Sequence, residues 1–226
     1  MAGGDEDRDL IKLYDYELSS DCYKVRLLMA ALRIPFERVE LDFYPGYEHK
    51  SPWFLAINPL GQLPAIDDDG YILRDAHAIL VYLSCKHDHT GLWNPPGAAE
   101  IQGRISMWLG FAHNLSMTAA AARLHDAMFY NADIDTCRTG AHACLRILDE
   151  HLWFAEQEGQ DWLCSRGHPT IADIACFPDI MLCEEGGISR LPYPAIRRWT
   201  DRVKRIADFT PMSGIFGAPP ARESTA

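Results

Sequence analysis

The sequence is short of positive charge: 21 Lys and Arg stand against 32 Asp and Glu, a net charge of -11. A chain that binds a phosphate backbone needs concentrated basic side chains, so DNA and RNA are excluded as partners. No apolar run approaches ~18 residues, the length that would predict a membrane-spanning helix. The first nine residues are acidic and polar and lack the basic-then-apolar order of a secretory leader. A soluble, cytoplasmic protein is expected. The seven cysteines form no C-x-x-C pair, and their odd number fits a reducing compartment better than a disulfide framework. Cys137 and Cys144, and again Cys176 and Cys183, lie seven apart, a same-face helical spacing that suits core packing. His87-Asp88-His89 offers two imidazoles in a loop without a third ligand, so no metal is expected.

What is present is a composition 48% hydrophobic and 23% charged over 226 residues, enough for one large or two small domains. Residues 1–9 read as a disordered tail. Ile11 to Tyr16 alternates apolar and polar, as a half-buried strand does, and Ser19-Ser20-Asp21 follows as a helix start. Cys22, Val25, Met29 and Leu32 share one helical face, and Phe36 to Leu41 alternates again, which completes a βαβ unit. A turn-rich connection, Asp42 to Pro59, leads to two short apolar runs, Gln62 to Ile66 and Tyr71 to Leu73, separated by Asp67-Asp68-Asp69-Gly70. A helix from Ala76 to about Lys86 completes ββα. Residues 10–90 thus read as an α+β, thioredoxin-like domain with a mixed four-stranded sheet.

Residues 91–98 have the Pro and Gly content of a linker, and the periodicity beyond them is helical throughout. Ile101, Ile105, Trp108, Ala112 and Leu115 make one stripe, Ala141, Leu145, Leu148, Leu152 and Ala155 a second, and Ile196, Trp199, Val203 and Ile206 a third. Thr170-Ile171-Ala172-Asp173 is a capping box opening the helix expected to be most buried. Pro178 inside that helix predicts a bend, and Pro192-Tyr193-Pro194 opens the last helix. An all-helical domain over residues 99–212 and a mobile tail over 213–226 are expected.

A proline that opens a strand, as in Asn58-Pro59-Leu60-Gly61-Gln62-Leu63-Pro64, needs a special backbone geometry, and a cis Leu63–Pro64 bond is predicted. Such a turn leaves the amide and carbonyl of Leu63 free for a peptide-like ligand that adds as a strand would.

Leu18 to Val25, Glu48-His49-Lys50-Ser51, the Asn58–Pro64 motif and Asp75-Ala76-His77-Ala78-Ile79 together resemble glutathione transferases, most of all the theta class and its bacterial relatives. The likeness continues through the Thr170–Asp173 box and Glu185-Gly186-Gly187 to Phe209-Thr210-Pro211-Met212. It implies a glutathione transferase, with glutathione as co-substrate, a small hydrophobic electrophile as second substrate, and a homodimer. It makes Ser19 the catalytic hydroxyl, places His49 and Lys50 at the glycine carboxylate of glutathione, gives its peptide part to Gln62, Leu63 and Pro64, and its γ-glutamyl end to Asp75 and Ala76. Trp108, Phe111, Asn114, Leu115, Thr118 and Arg123 fall where the family places its electrophile.

Lowering a thiol from ~8.5 by ~2 units requires ~2.7 kcal/mol of preference for the thiolate. One charge-assisted hydrogen bond from Ser19 supplies about 1.5–3 kcal/mol of it. The family usually carries Glu-Ser or Asp-Ser where this chain has Asp75-Ala76, so one hydroxyl on the γ-glutamyl carboxylate is missing while the residue 76 N–H remains. Two other readings follow from the same residues. Ala76 is compatible with a non-catalytic protein that binds glutathione or hydrophobic ligands. Cys22, at the second cysteine position of a thioredoxin motif, is compatible with a glutathione-dependent thiol-disulfide oxidoreductase.

Overall fold

The computed structural model describes residues 10–215 and Gly217. The expected tail at residues 1–9 and most of that at 213–226 therefore lie outside the described residues.

The N-terminal half is built from β1 (Ile11–Asp15), α1 (Ser20–Ala31), β2 (Phe36–Glu40), α2 (Pro52–Ile57), β3 (Ala65–Asp68), β4 (Tyr71–Arg74) and α3 (Ala76–His87). The sheet order is β2-β1-β3-β4. β1 pairs parallel with β2, Leu13 opposite Arg38, and antiparallel with β3, Leu13 opposite Ile66. β3 and β4 form an antiparallel hairpin. This is the mixed, thioredoxin-like sheet that the strand periodicity predicted, although the Gln62–Ile66 run becomes a strand only at Ala65, after the Leu63–Pro64 turn.

The turn-rich connection before that motif holds a helix that alternation and periodicity did not reveal. Ser51 caps α2 by accepting the Phe54 amide at 3.4 Å, and Pro52 stands at its first position, where a missing N–H is harmless. Six residues are too few to show a helical period.

The C-terminal half contains α4 (Ala99–Leu115), a π-helical turn (Ser116–Ala120), α5 (Ala121–Met128), α6 (Ile134–Gln157), α7 (Ile171–Met181) and α8 (Pro194–Val203). Its centre is α7, in which every residue is buried. The capping box forms as its sequence requires. Asp173 accepts from the Thr170 amide at 2.8 Å and also from the Leu163 amide and the Trp199 indole, all of them buried. α7 runs through Pro178. A backbone bridge joins Met212 and Ile215 and Ile215 is fully buried, so ordered structure extends past Met212, where the helical part was expected to end.

α1 and α7 pack across the junction of the two halves around a buried cation. Lys24 has no exposed side-chain surface and donates to Asp179 at 2.8 Å, to Asp21 at 2.6 Å and to Ser116 at 3.3 Å. Burial opposes the Lys24 charge, but the two carboxylates outweigh it and hold its pKa above the ordinary lysine value.

Candidate active site

A cavity of about 600 Å³ opens between the halves where the N-termini of α1 and α3 converge. Unpaired amides at a helix start, with the positive end of the helix dipole, favour an anion, and here two such ends face one space.

Ser19 is the N-cap of α1, and its Oγ accepts the Cys22 amide at 3.2 Å. Among the described residues no carbonyl or carboxylate accepts its proton. The segment leading to it is fixed carbonyl by carbonyl. Arg26 donates to the carbonyls of Tyr16 and Glu17, and Arg123 reaches from α5 to that of Leu18 at 2.6 Å. Arg26 itself is anchored on Asp15, which also pairs with Arg38. Ser20, the neighbouring hydroxyl, also faces the cavity from the first position of α1.

The second wall is the loop before β3. The Leu63–Pro64 bond is cis, and Leu63 lies outside the strand pairing with both backbone polar groups unpartnered among the described residues. A second cis bond, Tyr44–Pro45, was not anticipated. Buried Asn58 fastens the loop by donating to the Gln62 carbonyl at 2.7 Å and accepting the Leu60 amide at 3.1 Å. Gly61 has φ +56, and a Cβ there would stand 2.7 Å from the His49 carbonyl, so only glycine fits. Lys50 donates to the carbonyls of Leu60 and Gly61.

His49 and Lys50, expected as a pair of cations, differ in kind. His49 is buried and stacked on Phe43 with ring centroids 4.0 Å apart. Burial and the neighbouring Lys50 push its pKa below the ordinary histidine value, so at neutral pH the ring is uncharged and Lys50 alone brings charge.

At the third wall Asp75 caps α3, accepting the Ala78 amide at 2.9 Å, and Ala76 is buried at the first position of the helix. Gln62, Leu63, Pro64, Asp75 and Ala76 all line the cavity with Ser19, His49 and Lys50. Arg74 and His77 line it too, unpredicted.

Most of the residues expected at the electrophile lie away from this cavity. Trp108 and Leu115 are buried on the stripe that continues through Ala119 and Ala122, and they belong to the core. Phe111, Asn114 and Thr118 do not line the cavity either. The face that does carries His113, Met117, Ala120 and Leu124, one step around the helix and across the π turn. Of the six only Arg123 reaches the cavity, where it is occupied as a strut. It is 5% exposed, and besides the Leu18 carbonyl it holds Glu185 at 2.6 Å. Gly186 makes that approach possible, since a Cβ there would lie 2.7 Å from the Arg123 amide nitrogen. Opposite, Tyr16, Phe43 and Tyr130 form an aromatic wall, with Phe43 and Tyr130 stacked at 5.9 Å.

Cys22 is fully buried, and burial drives its thiol pKa far up, so it is no nucleophile. Among the described residues no three side chains could hold a metal ion together.

A thioredoxin-like sheet with a cis-proline loop, two helix starts and a capping serine thus faces one cleft beside a helical bundle. Residues 13–92 match the family model described as glutathione S-transferase, N-terminal domain. Human glutathione S-transferase theta-1 is 32% identical over 200 residues, covering 86% of this chain and 82% of that one. Glutathione S-transferase verG of Clonostachys rogersoniana is 29% identical over 191 residues, covering 80% and 77%. The crystal structure of a glutathione S-transferase from Pseudomonas fluorescens superposes with a TM-score of 0.80 at 26% identity, covering 90% of this chain and 99% of that one. The chain belongs to the glutathione S-transferase family. Among the described residues no helix is long and apolar enough to cross a membrane.

Proposed function

We propose that the protein is a transferase that binds glutathione in this cavity, activates it as a thiolate through Ser19, and directs it at a small hydrophobic electrophile. The observation that carries the reading is the Ser19 hydroxyl. Its lone pair is engaged by the Cys22 amide at 3.2 Å, which leaves the proton for an anion at the start of α1. Ser19 acts as a donor and no covalent intermediate forms. Leu63 offers its amide and carbonyl to the cysteinyl part of glutathione, Lys50 and neutral His49 bind the glycine carboxylate, and Asp75 with the Ala76 amide takes the γ-glutamyl end. The electrophile lies between the Tyr16–Phe43–Tyr130 wall and the face of His113, Met117 and Leu124.

Ser19→Ala tests the assignment. The ultraviolet absorbance of bound thiolate should vanish at neutral pH, and kcat should fall about 10- to 100-fold with the loss of a ~1.5–3 kcal/mol bond. Unchanged turnover with retained thiolate absorbance would show that another donor does this work.

A second reading, a binding protein without turnover, is favoured by Ala76, whose methyl replaces a hydroxyl at the γ-glutamyl end. Glutathione binding by calorimetry beside turnover of aryl halides and epoxides separates the two. The division at residues 91–98, into a glutathione-binding part over 10–90 and an electrophile-binding part over 99–212, belongs to the same proposal, as does assembly as a homodimer, which light scattering would report.

A further inference from the structure

The segment after α8 contributes no residue to the cavity, yet it packs directly behind one of its walls. Met212 and Ile215 exchange both backbone hydrogen bonds, at 3.0 and 2.9 Å, and both side chains are buried. Gly214 lies inside this turn at φ +83. A Cβ there would stand 2.3 Å from Glu185 Oε1 and 2.8 Å from Leu182 Cδ2, so the backbone of the turn rests on the Glu185 carboxylate and only glycine allows it. A few residues earlier the Thr210 carbonyl accepts the Tyr23 hydroxyl at 2.6 Å, which ties the same segment to α1.

Glu185 passes that contact on. Its Oε2 accepts Arg123 Nε at 2.6 Å, and Arg123 Nη1 donates to the Leu18 carbonyl at 2.6 Å. The amide of the same peptide, that of Ser19, donates to the Tyr16 carbonyl at 3.0 Å. The Leu18–Ser19 peptide is therefore gripped at its oxygen and at its nitrogen, and fixing that plane fixes where the Ser19 hydroxyl points. The grip on nitrogen is local, whereas the grip on oxygen runs through an ion pair whose carboxylate is 39% exposed. An ion pair at such exposure holds one geometry only where something restricts its side chains. The Gly214 backbone supplies that restriction from behind.

We propose that Glu185 and the Gly214 turn are positioning elements of the active site: the turn holds the Glu185 carboxylate on Arg123, and Arg123 sets the Ser19 hydroxyl at the start of α1. The proposal rests on Ser19 acting as thiolate donor. Glu185 and Gly214 line no part of the cavity, so their effect falls on ionisation of the bound thiol and not on binding.

Two measurements on the full-length protein separate these effects. The ultraviolet absorbance of bound glutathione thiolate is titrated against pH, and the affinity for S-methylglutathione, which has no thiol to ionise, is measured by calorimetry. Glu185→Ala should move the thiolate titration up by about one pH unit, a tenfold loss of thiolate preference, with S-methylglutathione affinity within about twofold of wild type. Gly214→Ala should shift it in the same direction. The double variant should be no worse than Glu185→Ala, because both changes act through one carboxylate. An unmoved titration in Glu185→Ala, a tenfold loss of S-methylglutathione affinity, or additive shifts in the double variant would each overturn the proposal. Ser19→Ala is titrated beside them. If it moves the titration and Glu185→Ala does not, the positioning role alone fails; if neither does, the donor role of Ser19 fails and the positioning role falls with it.

Discussion

Residue 76 decides more than its size suggests. Ala76 is buried at the first turn of α3, where the proposed function puts the γ-glutamyl end of glutathione. Restoring it with Ala76→Ser should tighten glutathione about tenfold, the equivalent of one hydrogen bond to a charged group, and calorimetry would report it. His49 carries a second prediction at this scale. Its pKa is depressed in the folded chain by burial and by Lys50, and relaxes to the ordinary histidine value on unfolding. Its contribution to stability is therefore full above the unfolded pKa and is lost as pH falls through the window below it, where the unfolded chain takes up the proton first. The stability advantage of wild type over His49→Gln should shrink between about pH 7 and about pH 5 in urea denaturation.

Elements meet at the site through two struts. Arg123 on α5 holds the Leu18 carbonyl, so a helix of the C-terminal half fixes the oxygen preceding the proposed thiolate donor. Arg123→Met should lower kcat about tenfold or more with little change in glutathione affinity, because the bond it removes orients Ser19 and touches no ligand. Equal losses in KM and kcat would place Arg123 on the substrate instead. Lys24 and Asp179 join α1 to α7 with both side chains out of contact with solvent. Asp179→Ala leaves the buried ammonium only Asp21 and Ser116 and should cost up to about 3–5 kcal/mol in chemical denaturation, whereas Lys24→Met with Asp179→Leu should recover much of it, because a buried pair nearly breaks even.

Over the whole molecule, the two halves form two things jointly: the cavity at the start of α1 and the Lys24 cluster. The halves were legible separately. The strand beginning at Ile11, the capping box of Thr170–Asp173 and the stripe of Ile105, Trp108, Ala112 and Leu115 are local patterns that the structure forms in place, although the expected alternation stops at Leu13, since Tyr14 and Asp15 are buried as well. The junction was not legible, since Arg123 and Leu18 lie 105 residues apart and Lys24 and Asp179 lie 155 apart. Nor was the cavity-lining face of the helical half legible: Trp108 and Leu115 turn to the core while His113 and Met117 line the cavity, and the elements packed around a helix decide which face turns inward.

By itself the sequence determined the individual strands and helices, the cis Leu63–Pro64 turn and the capping position of Ser19, because each depends on local residues, and it determined the family resemblance because the motifs that carry it keep their order along the chain. Only the tertiary structure decided that His49 is buried, which face of the helix lines the cavity, and that Arg123 holds the Leu18 carbonyl. Burial, helix phase and long-range hydrogen bonds exist only once the two halves are packed together.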